Sequence, residues 1–131
     1  MDTGKIKILL VEDDKLISAM YLAKFNQNGF DVVLKKNGIE ALTVLRDGMQ
    51  PDLILTDIMM PEMDGFEFVA KRNEEQLAVK SQIVALTNVS SYADEEKMRN
   101  LGVNDYVVKV LITPDGLVEL VQGIINKQKN K

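Results

Sequence analysis

Three features of the sequence predict an α/β fold, a doubly wound parallel sheet of five strands. The chain has 131 residues, the length of a single domain. Short apolar runs alternate with stretches of helical periodicity, and the pair recurs five times. The apolar runs are nearly continuous, which fits strands covered by helices on both faces.

The first strand is Ile6-Lys7-Ile8-Leu9-Leu10-Val11. Leu16, Ala19, Met20 and Ala23 then recur at i, i+3, i+4 and i+7 and mark the buried face of a helix, which Asn28-Gly29 stops. Asp31-Val32-Val33-Leu34-Lys35 is a short second strand. Gly38, Ala41, Leu42 and Leu45 repeat the helical spacing up to Asp47-Gly48. Pro51-Asp52-Leu53-Ile54-Leu55-Thr56-Asp57 is a third strand that finishes on a carboxylate. A loop over 58–64 leads to a helix with Phe66, Val69, Ala70 and Asn73 on one face. Ile83-Val84-Ala85-Leu86-Thr87 is the fourth strand. The helix over about 92–101 is weakly amphipathic, with Tyr92, Ala93, Met98 and Leu101 as its few apolar residues. Asp105-Tyr106-Val107-Val108 is the fifth strand. Thr113-Pro114 opens the last helix, an N-cap residue followed by proline at the first helical position. Leu117, Leu120, Val121 and Ile124 form its buried face, and the polar tail from Lys127 to Lys131 is expected to fray.

Composition excludes several chemistries. The net charge of −4 argues against nucleic-acid binding as the main task. Without Cys there are no disulfides, thiolate zinc sites or Cys nucleophiles; without His there is no Ser-His-Asp catalysis and no phosphohistidine donor in this chain. No apolar run is long enough to span a bilayer, and no apolar signal region follows Met1-Asp2-Thr3-Gly4-Lys5. A cytoplasmic protein with no membrane partner is expected.

In an open α/β sheet, ligands bind at the carboxyl ends of the strands. Strand one ends in Glu12-Asp13-Asp14, strand three in Asp57, strand four in Thr87, and strand five just before Lys109. Acids, a hydroxyl and an ammonium thus converge on one edge. The clustered carboxylates can share a proton, with one pKa raised, or hold a hard divalent cation through oxygen. Asp13 and Asp57 suit Mg²⁺ directly, and Glu12 suits it through water. With Lys109, such a cation makes a pocket for a dianionic phosphoryl group. Thr87 can donate to it, and Asp57 can act as its nucleophile. Taken singly, each position has a plainer explanation; Asp14 in particular reads as the cap of the helix starting near Lys15. The combination at matched strand ends is harder to set aside.

These residues resemble the receiver domain of two-component response regulators over nearly the whole chain. The segments that carry the resemblance are Ile8-Leu9-Leu10-Val11-Glu12-Asp13-Asp14, the run from Pro51 through Asp57 to Asp64-Gly65, Ala85-Leu86-Thr87, and Gly102-Val103-Asn104-Asp105-Tyr106-Val107-Val108-Lys109. The resemblance implies a flavodoxin/CheY-like (βα)5 fold with strand order 2-1-3-4-5. It implies one receiver domain over 1–131, with a core of about 5–127. Asp57 is then the phospho-acceptor for a sensor histidine kinase or histidine phosphotransfer protein. Glu12 and Asp13 are the acid pair for Mg²⁺, which Asp57 and the Met59 backbone carbonyl complete. Lys109 binds the phosphoryl group, and Thr87 and Tyr106 form the switch. Pro61 and Gly65 shape the turn after Asp57. The fourth helix, fifth strand and last helix would present a surface to a downstream protein or a second copy. The chain would be no enzyme beyond catalysing its own phosphorylation and dephosphorylation.

Two positions depart from the family pattern. Val110 stands where proline, often with a cis bond, commonly follows the lysine; a cis bond before a non-proline residue costs ~3 kcal/mol. Asn88 stands where a small residue usually follows Thr87. Met59 and Val89, apolar and two residues beyond Asp57 and Thr87, imply slow self-dephosphorylation. A single-domain receiver is expected, and a fragment of a larger regulator or hybrid kinase is equally compatible. Other classes stay open: an FMN-binding flavodoxin-like carrier, a Mg²⁺-dependent phosphatase with an aspartate nucleophile, and a receiver-like module that is never phosphorylated.

Overall fold

The structure, a computed structural model, describes residues 4–129; Met1, Asp2, Thr3, Asn130 and Lys131 lie outside the described residues. Strands and helices alternate as β1 (Lys7–Val11), α1 (Lys15–Gln27), β2 (Asp31–Lys35), α2 (Gly38–Arg46), β3 (Leu53–Asp57), α3 (Gly65–Glu74), β4 (Gln82–Thr87), α4 (Tyr92–Asn100), β5 (Asp105–Val108) and α5 (Pro114–Lys129). A single 3-10 turn, Lys109–Leu111, joins β5 to α5. The sheet is parallel throughout, in the order β2-β1-β3-β4-β5. No helix among the described residues is long and apolar enough to cross a membrane.

Because side chains alternate along a strand, each central strand feeds two cores. Ile8, Leu10, Leu53, Leu55, Val84 and Leu86 pack under α1 and α5, against Tyr21, Phe25, Leu117 and Val121. Leu9, Val11, Ile54, Ile83 and Ala85 pack under the other three helices, against Leu42, Leu45, Phe68, Val69 and Met98. The register then fixes the site. Val11 pairs with Thr56, so Glu12 and Asp57 occupy the next row together. Asp57 pairs with Leu86, and Leu86 with Val107, so Thr87 and Lys109 lie one and two residues beyond that row.

The face of α2 is the expected one, with Gly38, Ala41, Leu42 and Leu45 buried, whereas those of α1 and α3 depart from expectation. In α1, Leu16, Ala19, Met20 and Ala23 face outward, and Ser18, Tyr21 and Phe25 are buried instead. This helix is apolar on both sides, and the two rings bury more surface than the aliphatic stripe. Phe25 also meets Phe30 edge-on at 5.2 Å. In α3 the core residues are Gly65, Phe68 and Val69; Phe66 is half-buried, and Ala70 and Asn73 are exposed. Leu117 and Val121 of α5 are buried as expected, joined by Val118 and Ile125, while Leu120 and Ile124 are half-buried against the same core. The helix also runs through Lys127, Gln128 and Lys129, which were expected to fray. α4 is as weakly held as its composition implies, with Met98 its one buried residue.

Phe25→Ala should therefore cost ~3–5 kcal/mol in urea unfolding, and Leu16→Ala no more than about 0.5 kcal/mol. The reverse ranking would restore the face read from periodicity.

Candidate functional site

β1 and β3 are central strands that deliver Glu12 and Asp57 to the same row of the carboxyl edge. Glu12 is held there by its own backbone, whose amide donates to the Lys35 carbonyl of β2 at 3.0 Å. Asp14 is indeed a helix cap: its Oδ1 accepts from the Leu16 and Ile17 amides at 2.9 and 3.0 Å. That turn leaves Asp13 between them, exposed to solvent. Glu12, Asp13 and Asp57 each present a carboxylate oxygen within 4.8 Å of the others. Hard oxygen donors at this spacing suit a divalent cation such as Mg²⁺.

Lys109 closes the floor. Its Nζ donates to Glu12 Oε1 at 2.6 Å and to Asp57 Oδ2 at 3.0 Å. The three side chains are 6%, 0% and 5% exposed, so these are buried ion pairs. The other Asp57 oxygen, Oδ1, accepts from the Ile58 amide at 2.9 Å. The 3-10 turn lets Lys109 point inward although Val110 follows it, with no cis peptide bond among the described residues.

The charges are unequal, because three acids share one ammonium. Burial pushes the Glu12 carboxyl up; the hydrogen bond from Lys109 opposes this, the nearby Asp57 carboxylate adds to it, and the net shift is upward. Burial alone would pull Lys109 down, but Glu12 and Asp57 outweigh it and hold the ammonium above its ordinary value.

The remaining candidates ring this centre. Thr87 is buried, and its Oγ1 accepts from the Val89 amide at 3.4 Å; among the described residues no hydrogen bond joins it to Asp57. Tyr106 is half-buried against the second core, and its hydroxyl donates to the Val89 carbonyl at 3.4 Å. Met59 opens the loop after β3 with its side chain 70% exposed. Gly65 is obligatory at the far end of that loop: a Cβ there would fall on the Asp57 carbonyl oxygen and 2.9 Å from Ile58 Cα. Tyr21 of α1 is buried in the first core and feels the charges of the pocket. Burial pushes its hydroxyl up, and Lys109, Glu12 and Asp57 all act on it. Its spacing from Ser18 and Phe25 was the available signal in the sequence for that burial. A separate groove of about 540 Å³ lies between α3 and α4, lined by Phe66, Ala70, Ala93 and Leu101 among others, and contains none of these residues.

Removing the ammonium leaves two buried carboxylates uncompensated. Lys109→Met should cost ~3–5 kcal/mol of unfolding free energy at neutral pH. A raised lysine pKa stabilises fully below the unfolded value near 10.5 and ceases to do so as pH rises through the folded value. The gap between wild type and variant in urea melts should therefore shrink above pH 10.5. A gap below about 1 kcal/mol at neutral pH would deny the pair its role.

Residues 8–122 match the family described as the response regulator receiver domain. The chain is 34% identical over 131 residues to hybrid signal transduction histidine kinase B of Dictyostelium discoideum, covering 92% of this chain and only 7% of the length of that relative. It is 30% identical over 107 residues to the polar-differentiation response regulator DivK of Brucella anthropi, covering 82% of this chain and 86% of the relative. The chemotaxis response regulator CheY4 of Vibrio cholerae superposes with a TM-score of 0.80 at 30% identity, covering 92% of this chain and 98% of the other. With order β2-β1-β3-β4-β5 and an acidic pocket at the carboxyl edge, the chain belongs to the receiver domains of response regulators, the modules of two-component signalling.

Proposed function

We propose that the domain accepts a phosphoryl group on Asp57 from a phosphohistidine of a sensor kinase or histidine phosphotransfer protein. The observation that carries this reading is the Lys109 ammonium 3.0 Å from Asp57 Oδ2, in a pocket with two further carboxylates. An Asp57 oxygen attacks phosphorus; the O–P bond forms as the N–P bond breaks, and the imidazole takes the electron pair and then a proton. Lys109 is positioned to follow the charge from the carboxylate onto the phosphoryl oxygens. Mg²⁺, held by Glu12, Asp13, Asp57 and the Met59 carbonyl, would offset part of the roughly two negative charges that arrive.

The acids that follow β1 and the exposed Met59 two residues past Asp57 favour this reading over an FMN carrier or a phosphatase. Leu16, Met20, Val110 and Leu111 are large exposed apolar side chains, suited to a protein donor. On the output side, Thr87 exchanges the Val89 amide for a phosphoryl oxygen, and Tyr106 follows through its own link to Val89. α4, with Met98 its one buried residue, is the element with least to lose by repacking. The α4–β5–α5 surface then engages a downstream protein or a second copy.

Acetyl phosphate with Mg²⁺ should add one phosphate to the intact mass of wild type and none to Asp57→Asn. The adduct should decay slowly, because Met59 and Val89 offer an attacking water no hydrogen bond. Equal labelling of both proteins, or a wild-type half-life of a few seconds, would contradict this.

A further inference from the structure

Asn37 is polar, 6% exposed, and none of the chemistry above uses it. Its amide bridges two elements. Oδ1 accepts from the Glu40 amide at 2.9 Å and caps α2. Nδ2 donates to Glu62 Oε2 at 3.3 Å, in the loop after β3. Glu62 has φ 68, a left-handed conformation uncommon outside glycine and kept only where surroundings impose it. The neighbouring residue adds a second brace: a Cβ on Gly38 would stand 2.9 Å from Met63 Cγ and 3.0 Å from Phe68 Cβ. The start of α2 is thus pressed against the middle of the loop. Both loop ends are pinned as well, since the Gly65 amide donates to the Ile58 carbonyl at 2.7 Å. Ile58 in turn donates to Asp57 Oδ1, and the Met59 carbonyl comes next.

We infer that Asn37 is a positioning residue for the divalent cation: by holding Glu62 it fixes the loop that sets the Met59 carbonyl and the Asp57 carboxylate. The inference rests on the reading of Glu12, Asp13, Asp57 and the Met59 carbonyl as cation ligands. It concerns a residue outside that set, acting through the backbone. Partners bonded directly to metal ligands change affinity roughly 10- to 100-fold when removed, and Asn37, one step further out, belongs at the low end of that range.

The test exchanges the two ends of the contact. Asn37→Asp still caps α2, because Asp caps as well as Asn, but it sets a carboxylate against Glu62. Mg²⁺ titrations of the folded protein, read by the backbone amide resonances of Ile58 to Met60 and Glu62 to Gly65, should show affinity falling roughly 10-fold, and the carboxylate facing Glu62 lowers the urea midpoint as well. Adding Glu62→Gln returns the hydrogen bond with donor and acceptor reversed and should restore near wild-type affinity. Wild-type affinity in Asn37→Asp would overturn the inference, as would failure of the double variant to recover. So would a double variant whose urea midpoint recovers while its affinity does not, because Asn37 would then be structural only. A wild type with no saturable Mg²⁺ response would instead overturn the cation-site reading itself.

Discussion

One ammonium shared by two buried carboxylates organises the functional end of this domain. Lys109 lies between Glu12 and Asp57, with all three side chains withdrawn from water. Burying such charges is costly, and the arrangement persists only because each is paired. One ammonium against two carboxylates already leaves the local balance negative, and Asp13 adds a further acid. The pocket is therefore short of positive charge by construction, which favours a hard cation and, beside it, a group that both cations can bind.

The fold supplies that juxtaposition through register. Parallel pairing sets Glu12 level with Asp57, and the doubly wound sheet covers both faces with helices, so the acids meet at its carboxyl edge. Lys109 follows β5, with β4 standing between that strand and β3, and the 3-10 turn it opens brings its side chain back to Asp57. The stability of the edge and its reactivity thus draw on the same three groups. Helix α4 is the counterweight: Met98 is its one buried residue, so its position is the one that a charge event at the edge can bias at least cost.

Strands and their ends were legible in the sequence because buried parallel strands are continuous apolar runs, and each run stops where polar chemistry begins. Helix faces were less legible. In α1, the aliphatic stripe Leu16, Ala19, Met20 and Ala23 satisfies the helical period as well as the Tyr21–Phe25 side does, and only packing volume separates them. Phe66 and Phe68 pose the same ambiguity in α3, and the deeper position belongs to Phe68. The sequence placed Lys109 near the acids but carried no sign of its double pairing. It also hid the bridge from Asn37 to Glu62, because the two are 25 residues apart and each looks like ordinary loop polarity.

The most direct measurement is the titration of the Glu12 carboxyl by carbon NMR, with and without saturating Mg²⁺. Burial, opposed by the Lys109 hydrogen bond and aided by the Asp57 carboxylate, raises its protonation above the ordinary value in the free protein, and a bound cation should shift it down. A carboxyl that titrates in the ordinary range and ignores Mg²⁺ would contradict the charge imbalance on which the account stands.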